Sequence, residues 1–183
     1  MAMATYHNTL GPWCQADESP ITLAATNKGL VPVARYNEMG TQFFDTVGKK
    51  LWIHASGKMT TSTSPGTLTL ALLFGNGADA NGTSILASAA QTLVASQTNI
   101  SWQFDAYVHC RGIGSSGSLF AMGDAVFGTA LIAAGTFLLP ASAAAATGSL
   151  DLTGSSIPSL QALVSSGSSI TMTVQDFALV PMN

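Results

Sequence analysis

The chain is short of charge. Lys, Arg, Asp and Glu make up 8% of its 183 residues, against about 25% in an ordinary soluble domain. Six basic and nine acidic residues leave a net charge of −3, so no basic footprint for nucleic acid is present. So few ionisable groups also give general acid–base catalysis little to work with. There are two cysteines, Cys14 and Cys110, which make neither a disulfide framework nor a metal-ligand set. A single bridge between them stays open, but Cys110 reads better as a small buried hydrophobe. A positively charged start followed by an apolar run is missing from MAMATYHNTLGPWCQADESP, so no secretory leader is expected. Without one, Asn81-Gly82-Thr83 and Asn99-Ile100-Ser101 match the glycan-acceptor pattern by chance. One uncharged run, AVFGTALIAAGTFLLPASAAAA over 125–146, is long enough to cross a bilayer. Gly128, Gly135 and Pro140 interrupt it and no Lys or Arg follows Arg111, so a membrane span is not expected.

Ser, Thr, Gly and Ala occupy the places where Lys and Glu normally sit. A hydroxyl-rich β surface and a surface covered by neighbouring subunits both read this way, because interface cores are depleted in charge. The expected organisation is an irregular N-terminal arm over 1–20, with turn signals at Gly11-Pro12 and Ser19-Pro20, and one domain over 21–183.

Two-residue periodicity dominates that domain. In KKLWIHASGKM, Leu51, Ile53, Ala55 and Met59 share one face; Lys50, Trp52, His54, Ser56 and Lys58 share the other. After Pro65-Gly66 a second run places Leu68, Leu70, Leu72 and Phe74 together. The clearest is SWQFDAYVHCRGI, with Trp102, Phe104, Ala106, Val108 and Cys110 opposite Gln103, Asp105, Tyr107, His109 and Arg111. Ten positions of strict alternation signal a half-buried strand. LFAMGDAVFG is apolar on both parities, as in a strand covered on both sides, and a partner subunit is a plausible cover. Near the C-terminus, Ile170, Met172 and Val174 share one parity, Phe177 and Leu179 the other, so a β-bulge is expected near Gln175-Asp176. Pro32 restricts Leu30–Tyr36 to an edge or bulge, and Leu160–Val164 is a weak strand. About eight to ten short strands separated by Gly, Ser, Pro and Asn predict an all-β fold, an antiparallel β-sandwich that is jelly-roll-like.

Chemistry-bearing patterns are thin. Gly112-Ile113-Gly114-Ser115-Ser116-Gly117 matches the dinucleotide fingerprint in letters, but a strand follows it where a helix is required, so a hairpin turn is expected. His54 and His109 sit on polar parities; a metal would need their strands adjacent and further ligands that the spacing does not supply, and His7 lies on the arm. No nucleophile-elbow spacing accompanies the serines. No catalytic residue, cofactor or metal is therefore assigned. Trp102 falls on an apolar face and belongs in the core. Trp52 and Tyr107 fall on polar faces, as interface anchors or as a patch for a ligand such as a host-surface glycan. Leu10 and Trp13 on the arm, and Leu119, Phe120, Met122, Val126 and Phe127 in the doubly apolar strand, complete the candidate contact residues.

The ordered set VGKKLWIHASGKMTTSTSPGTLTLALLFG, TNISWQFDAYVHCRGIGSSGSLFAMGDAVFG, LDLTG and SSITMTVQDFALVPMN resembles small structural proteins of tailed bacteriophages. Gly48, Lys49, Leu51, Ile53, Ala55 and Gly57 stand at matching positions, as do Trp102, Cys110, Arg111, Gly114 and Leu150-Asp151-Leu152-Thr153. The resemblance runs from about residue 21 to the end and is poor over the arm and over 128–146. It implies a jelly-roll protein of the virion, of the capsid decoration (cement) kind, that trimerises on the capsid exterior and clamps the major capsid protein. It implies no enzymatic activity. A tail- or fibre-associated module recognising glycans is the alternative.

Overall fold

A computed structural model of the chain describes residues 13–14, 19–31, 39–75, 82–142, 146–165 and 169–182. Among them there is no helix; thirteen strands run β1 (Trp13–Cys14), β2 (Ile21–Thr22), β3 (Lys28–Gly29), β4 (Lys50–Thr60), β5 (Thr67–Gly75), β6 (Thr83–Ala87), β7 (Gln91–Thr92), β8 (Ile100–Gly112), β9 (Gly117–Phe127), β10 (Thr136–Leu139), β11 (Ala146–Leu150), β12 (Ile157–Val164) and β13 (Thr171–Met182). They form two antiparallel sheets packed face to face as a β-sandwich. The larger runs β1-β13-β4-β8-β9-β10, with β11 also on β9 and β2 also on β13. The smaller runs β3-β12-β5-β6, with β7 also on β5. The expected arm lies mostly outside the described residues; within it, Trp13 and Cys14 pair with Phe177 and Asp176.

The alternating segments form the long central strands because each can turn one whole face to the core. Leu51, Ile53, Ala55 and Met59 of β4, and Trp102, Phe104, Ala106, Val108 and Cys110 of β8, point inward and are buried. Leu68, Leu70, Leu72 and Phe74 of β5 meet them from the other sheet within a single core. Burying a side chain of this size contributes about 1.5–3 kcal/mol. Trp102, Phe127 and Phe137 form a stacked ladder, with ring centroids 6.3 and 5.7 Å apart. The cost within this packing is Trp102 Nε1, which is buried without a hydrogen-bond partner among the described residues.

The expected bulge is present. The β13–β4 register shifts between Val174 and Asp176, and Ile170, Met172, Val174, Phe177 and Leu179 all end up buried despite the change of parity. The inserted residue lets both halves of β13 face inward. The glycine-rich run 112–117 is the turn of the β8–β9 hairpin, where Gly114 takes φ +88°, a conformation open chiefly to glycine.

Two segments take a definite form. Within the single chain β9 is covered on one face: Leu119, Ala121, Ala125 and Phe127 are buried, whereas Met122 and Val126 are exposed, so a second cover has to come from a partner. The weak candidate near Leu160–Val164 is β12, which lies between β3 and β5 in the smaller sheet. Its Ser159 and Gln161 are buried along with Leu160, Ala162 and Val164, so it shows no alternation. No described helix is long and apolar enough to cross a membrane; the uncharged run supplies the end of β9, a turn and β10.

Candidate functional site: the open face of the larger sheet

Cross-strand register sorts the outward side chains of β13, β4, β8 and β9 into rows. One row reads Met182, Lys50, His109, Phe120; the next Val180, Trp52, Tyr107, Met122; the next Ala178, His54, Asp105, Asp124; the last Asp176, Ser56, Gln103, Val126. On the far side of β9, β10 adds Leu138 beside Asp124 and Thr136 beside Val126. Polar parity in the sequence thus becomes one continuous surface, because antiparallel partners at matched register point to the same side.

That surface mixes charged and polar groups with large exposed apolar side chains. Leu138 is 69% exposed, Tyr107 and Met122 each 44%, and Val126 and Met182 each 40%. These residues lie in adjoining rows, not scattered singly. Exposed apolar side chains gathered on one face, with Asp105 and Asp124 among them, make it the candidate interaction surface.

A hydrogen-bonded cluster stiffens its centre. Asp105 Oδ1 accepts from Trp52 Nε1 at 2.9 Å and lies 2.9 Å from His54 Nδ1. Its Oδ2 accepts from Gln103 Nε2 at 2.7 Å. His54 Nε2 faces Asp176 Oδ2 at 3.7 Å. A carboxylate between these donors holds the Trp52 indole and the His54 ring in place, 5.7 Å apart, so the face presents fixed side chains. Such pre-ordering lowers the entropy cost of docking.

The row above is cationic. The Arg111 guanidinium lies 5.3 Å over the Phe120 ring, and His109 meets the same ring edge-on at 6.2 Å. Partial burial, then the neighbouring Lys50 and Arg111 charges, push the His109 imidazole below its ordinary value, favouring its neutral form.

The sequence-nominated contact residues divide. Trp52, Tyr107, Phe120, Met122 and Val126 come together on this face. Leu119 and Phe127 do not: both lie in the core, at 0% and 2% exposure, and have no surface to offer a partner. Leu10 lies outside the described residues, and for Trp13 only its pairing with Phe177 is described. Sequence reading did not nominate Leu138, which falls in the uncharged run, nor Val180 and Met182, which lie past the last alternating pair, Phe177 and Leu179. It also missed the tie between Trp52, His54 and Asp105, which only register could show.

The two strand histidines are on neighbouring strands, β4 and β8, but His109 pairs with Lys50, two rows from His54. Four strand residues span about 13 Å, too far for one ion. Among the described residues no group of three or more His, Cys, Asp or Glu is placed to hold a metal. Cys110 is a free thiol in the core, and burial raises its pKa. The described cavity beside Phe43, Phe44 and Leu152 has room for about one water-sized sphere, which excludes it as a ligand site.

No family model matches the chain, and no curated protein and no solved structure matches it either.

Proposed function

We propose that the chain is a non-enzymatic structural protein of a tailed-phage particle, a capsid decoration protein that stabilises the shell of major capsid protein. The observation that carries the proposal is the open face of the larger sheet: five large apolar side chains at 40% exposure or more, in adjoining rows. Low overall charge limits how many ions a covering partner must pair, and those on this face fall in opposed rows, Lys50 on one side and Asp105, Asp124 and Asp176 on the other. The choice of particle rests on the resemblance of the sequence to small phage structural proteins. The strand path supports a jelly roll: β2-β13-β4-β8 in one sheet faces β3-β12-β5-β6 in the other, with β9 to β11 as an extension beyond β8. Eight strands in that order wind as two Greek keys, an architecture common in capsid proteins.

Co-sedimentation with capsids lacking the protein tests the role, together with capsid survival under heat or osmotic shock. Binding and a more resistant shell are expected. A protein that neither pellets with capsids nor changes their resistance refutes the proposal.

Glycan recognition through Trp52 and Tyr107 is the second reading, favoured by the exposure of Tyr107 beside Trp52. It is the weaker one, because the Trp52 N–H is already donated to Asp105. The Asp105 oxygens are likewise engaged by Trp52, His54 and Gln103, so the carboxylate beside Trp52 is already used within the chain. Glycan binding abolished by Trp52→Ala would reverse this ranking.

A further inference from the structure

Charge on the open face is sorted by row. The row Val180, Trp52, Tyr107, Met122 carries none. Lys50, His109 and, further out, Arg111 lie on one side of it; Asp105, Asp124 and then Asp176 lie on the other. Neither Lys50 nor Arg111 forms a salt bridge among the described residues. Lys58, beyond the acidic rows, already has an interaction within the chain.

We propose that this face pairs with the same face of a second copy, about a two-fold axis lying in the interface along the Val180–Trp52–Tyr107–Met122 row. Such an axis keeps each strand over its counterpart and reverses the order of the rows. The Lys50–His109–Phe120 row of one copy then covers the His54–Asp105–Asp124 row of the other, and the reverse holds on the far side of the axis. The uncharged row stacks on itself at the centre. Two sheets packed face to face cross at about 30°; a crossing in the sense that carries the acidic row towards β4 sets Lys50 and Arg111 against Asp105 and Asp124 of the opposite copy. The contact is isologous, as a closed dimer requires.

The size also fits. The four long strands have 11 to 13 residues, and β10 and β11 together supply a fifth column. At about 4.8 Å between strands and 3.3 Å per residue the footprint is roughly 860 Å². A standard stable interface buries about 800 Å² per partner. A three-fold assembly would instead set this face against a different surface of its neighbour, and the opposed acidic and basic rows would have no use. The inference rests on the proposed role as an assembling protein; it replaces the three-fold association that the resemblance implies with a two-fold one, and it moves capsid contact to other surfaces.

The test is the solution mass of the full chain by light scattering, with two charge-reversed variants checked for folding by circular dichroism. One is Lys50→Glu with Arg111→Glu; the other is Asp124→Lys with Asp176→Lys. The wild type is expected to be a dimer. Each variant alone sets like charges against each other and weakens association on the order of 100-fold. Mixing the two restores complementarity and forms a heterodimer. Tyr107→Glu, a single change at the exposed centre, is a second route to the monomer should a double variant fail to fold. A monomeric or trimeric wild type, a dimer indifferent to reversal and to Tyr107→Glu, or folded variants that stay apart on mixing would overturn the inference. Capsid co-sedimentation run in parallel separates the claims: a dimer that ignores capsids sinks the decoration role alone, and a monomer that binds them sinks the pairing alone.

Discussion

Gly57→Ala should be among the most damaging small substitutions in the molecule. The β-bulge in β13 carries the Thr173 carbonyl across the Gly57 Cα. A Cβ built there overlaps the Thr173 oxygen, and lies 3.0 Å from the Thr173 carbonyl carbon and 3.2 Å from Val174 Cα. All three are backbone atoms of the neighbouring strand, so no rotamer change relieves the clash. Strands β4 and β13 must separate locally by more than an ångström. That breaks about two ladder hydrogen bonds beside the bulge, and each buried group left unpaired costs about 1–3 kcal/mol. Disturbed packing of Met59 and Val174 adds to this, giving about 3–5 kcal/mol. A chain of this length is expected to have roughly 9–27 kcal/mol in total, at about 0.05–0.15 kcal/mol per residue. Urea unfolding with an unchanged m-value should show the loss as a lower midpoint. Gly154→Ala is the control, because a Cβ there meets nothing within 4 Å and should stay within about 0.5 kcal/mol. A Gly57→Ala protein as stable as the control would refute the register between β4 and β13.

Other outcomes follow from the same geometry. Phe104→Ala should cost about 3–5 kcal/mol in urea unfolding, since its ring is wholly buried between the sheets. Asp105→Ala should cost about 1–3 kcal/mol, because Trp52, His54 and Gln103 lose their shared acceptor on a half-exposed face. Acidification should reduce stability as pH falls below about 6.5, the unfolded value for histidine. His109 is depressed in the folded chain, so the unfolded chain takes up its proton first, and His109→Phe should flatten that part of the profile. Cys110 should resist a thiol reagent until the chain unfolds, given its burial and raised pKa.

Much of the sandwich was legible wherever one face of a strand meets the core and the other does not. β4 and β8 show this most cleanly, and even the bulge was visible, since a single inserted residue inverts parity. β12 was hard to read for the opposite reason. Buried Ser159 and Gln161 interleave with Leu160, Ala162 and Val164, so polarity carries no period there. In β9 the doubly apolar pattern was visible, but periodicity could not tell a buried Leu119 from an outward Phe120. The candidate site was legible by halves. Sequence placed Trp52, His54, Asp105 and Tyr107 on polar parities, yet only the pairing of Trp52 with Tyr107 and of His54 with Asp105 turns four scattered residues into one surface. Leu138, Val180 and Met182 join it through neighbours distant in sequence, which no local pattern reports.

Hydroxyl-radical footprinting of Tyr107 and Met122 reaches the central claim most directly, because both side chains stand at the middle of the open face. The isolated chain, diluted until it is monomeric, should label strongly at both. In the assembled particle both should be strongly protected, while Val94, exposed just past β7 of the smaller sheet, keeps its labelling. Equal labelling of Tyr107 and Met122 in the two states would mean that this surface faces water throughout, contrary to its role as a covered interface.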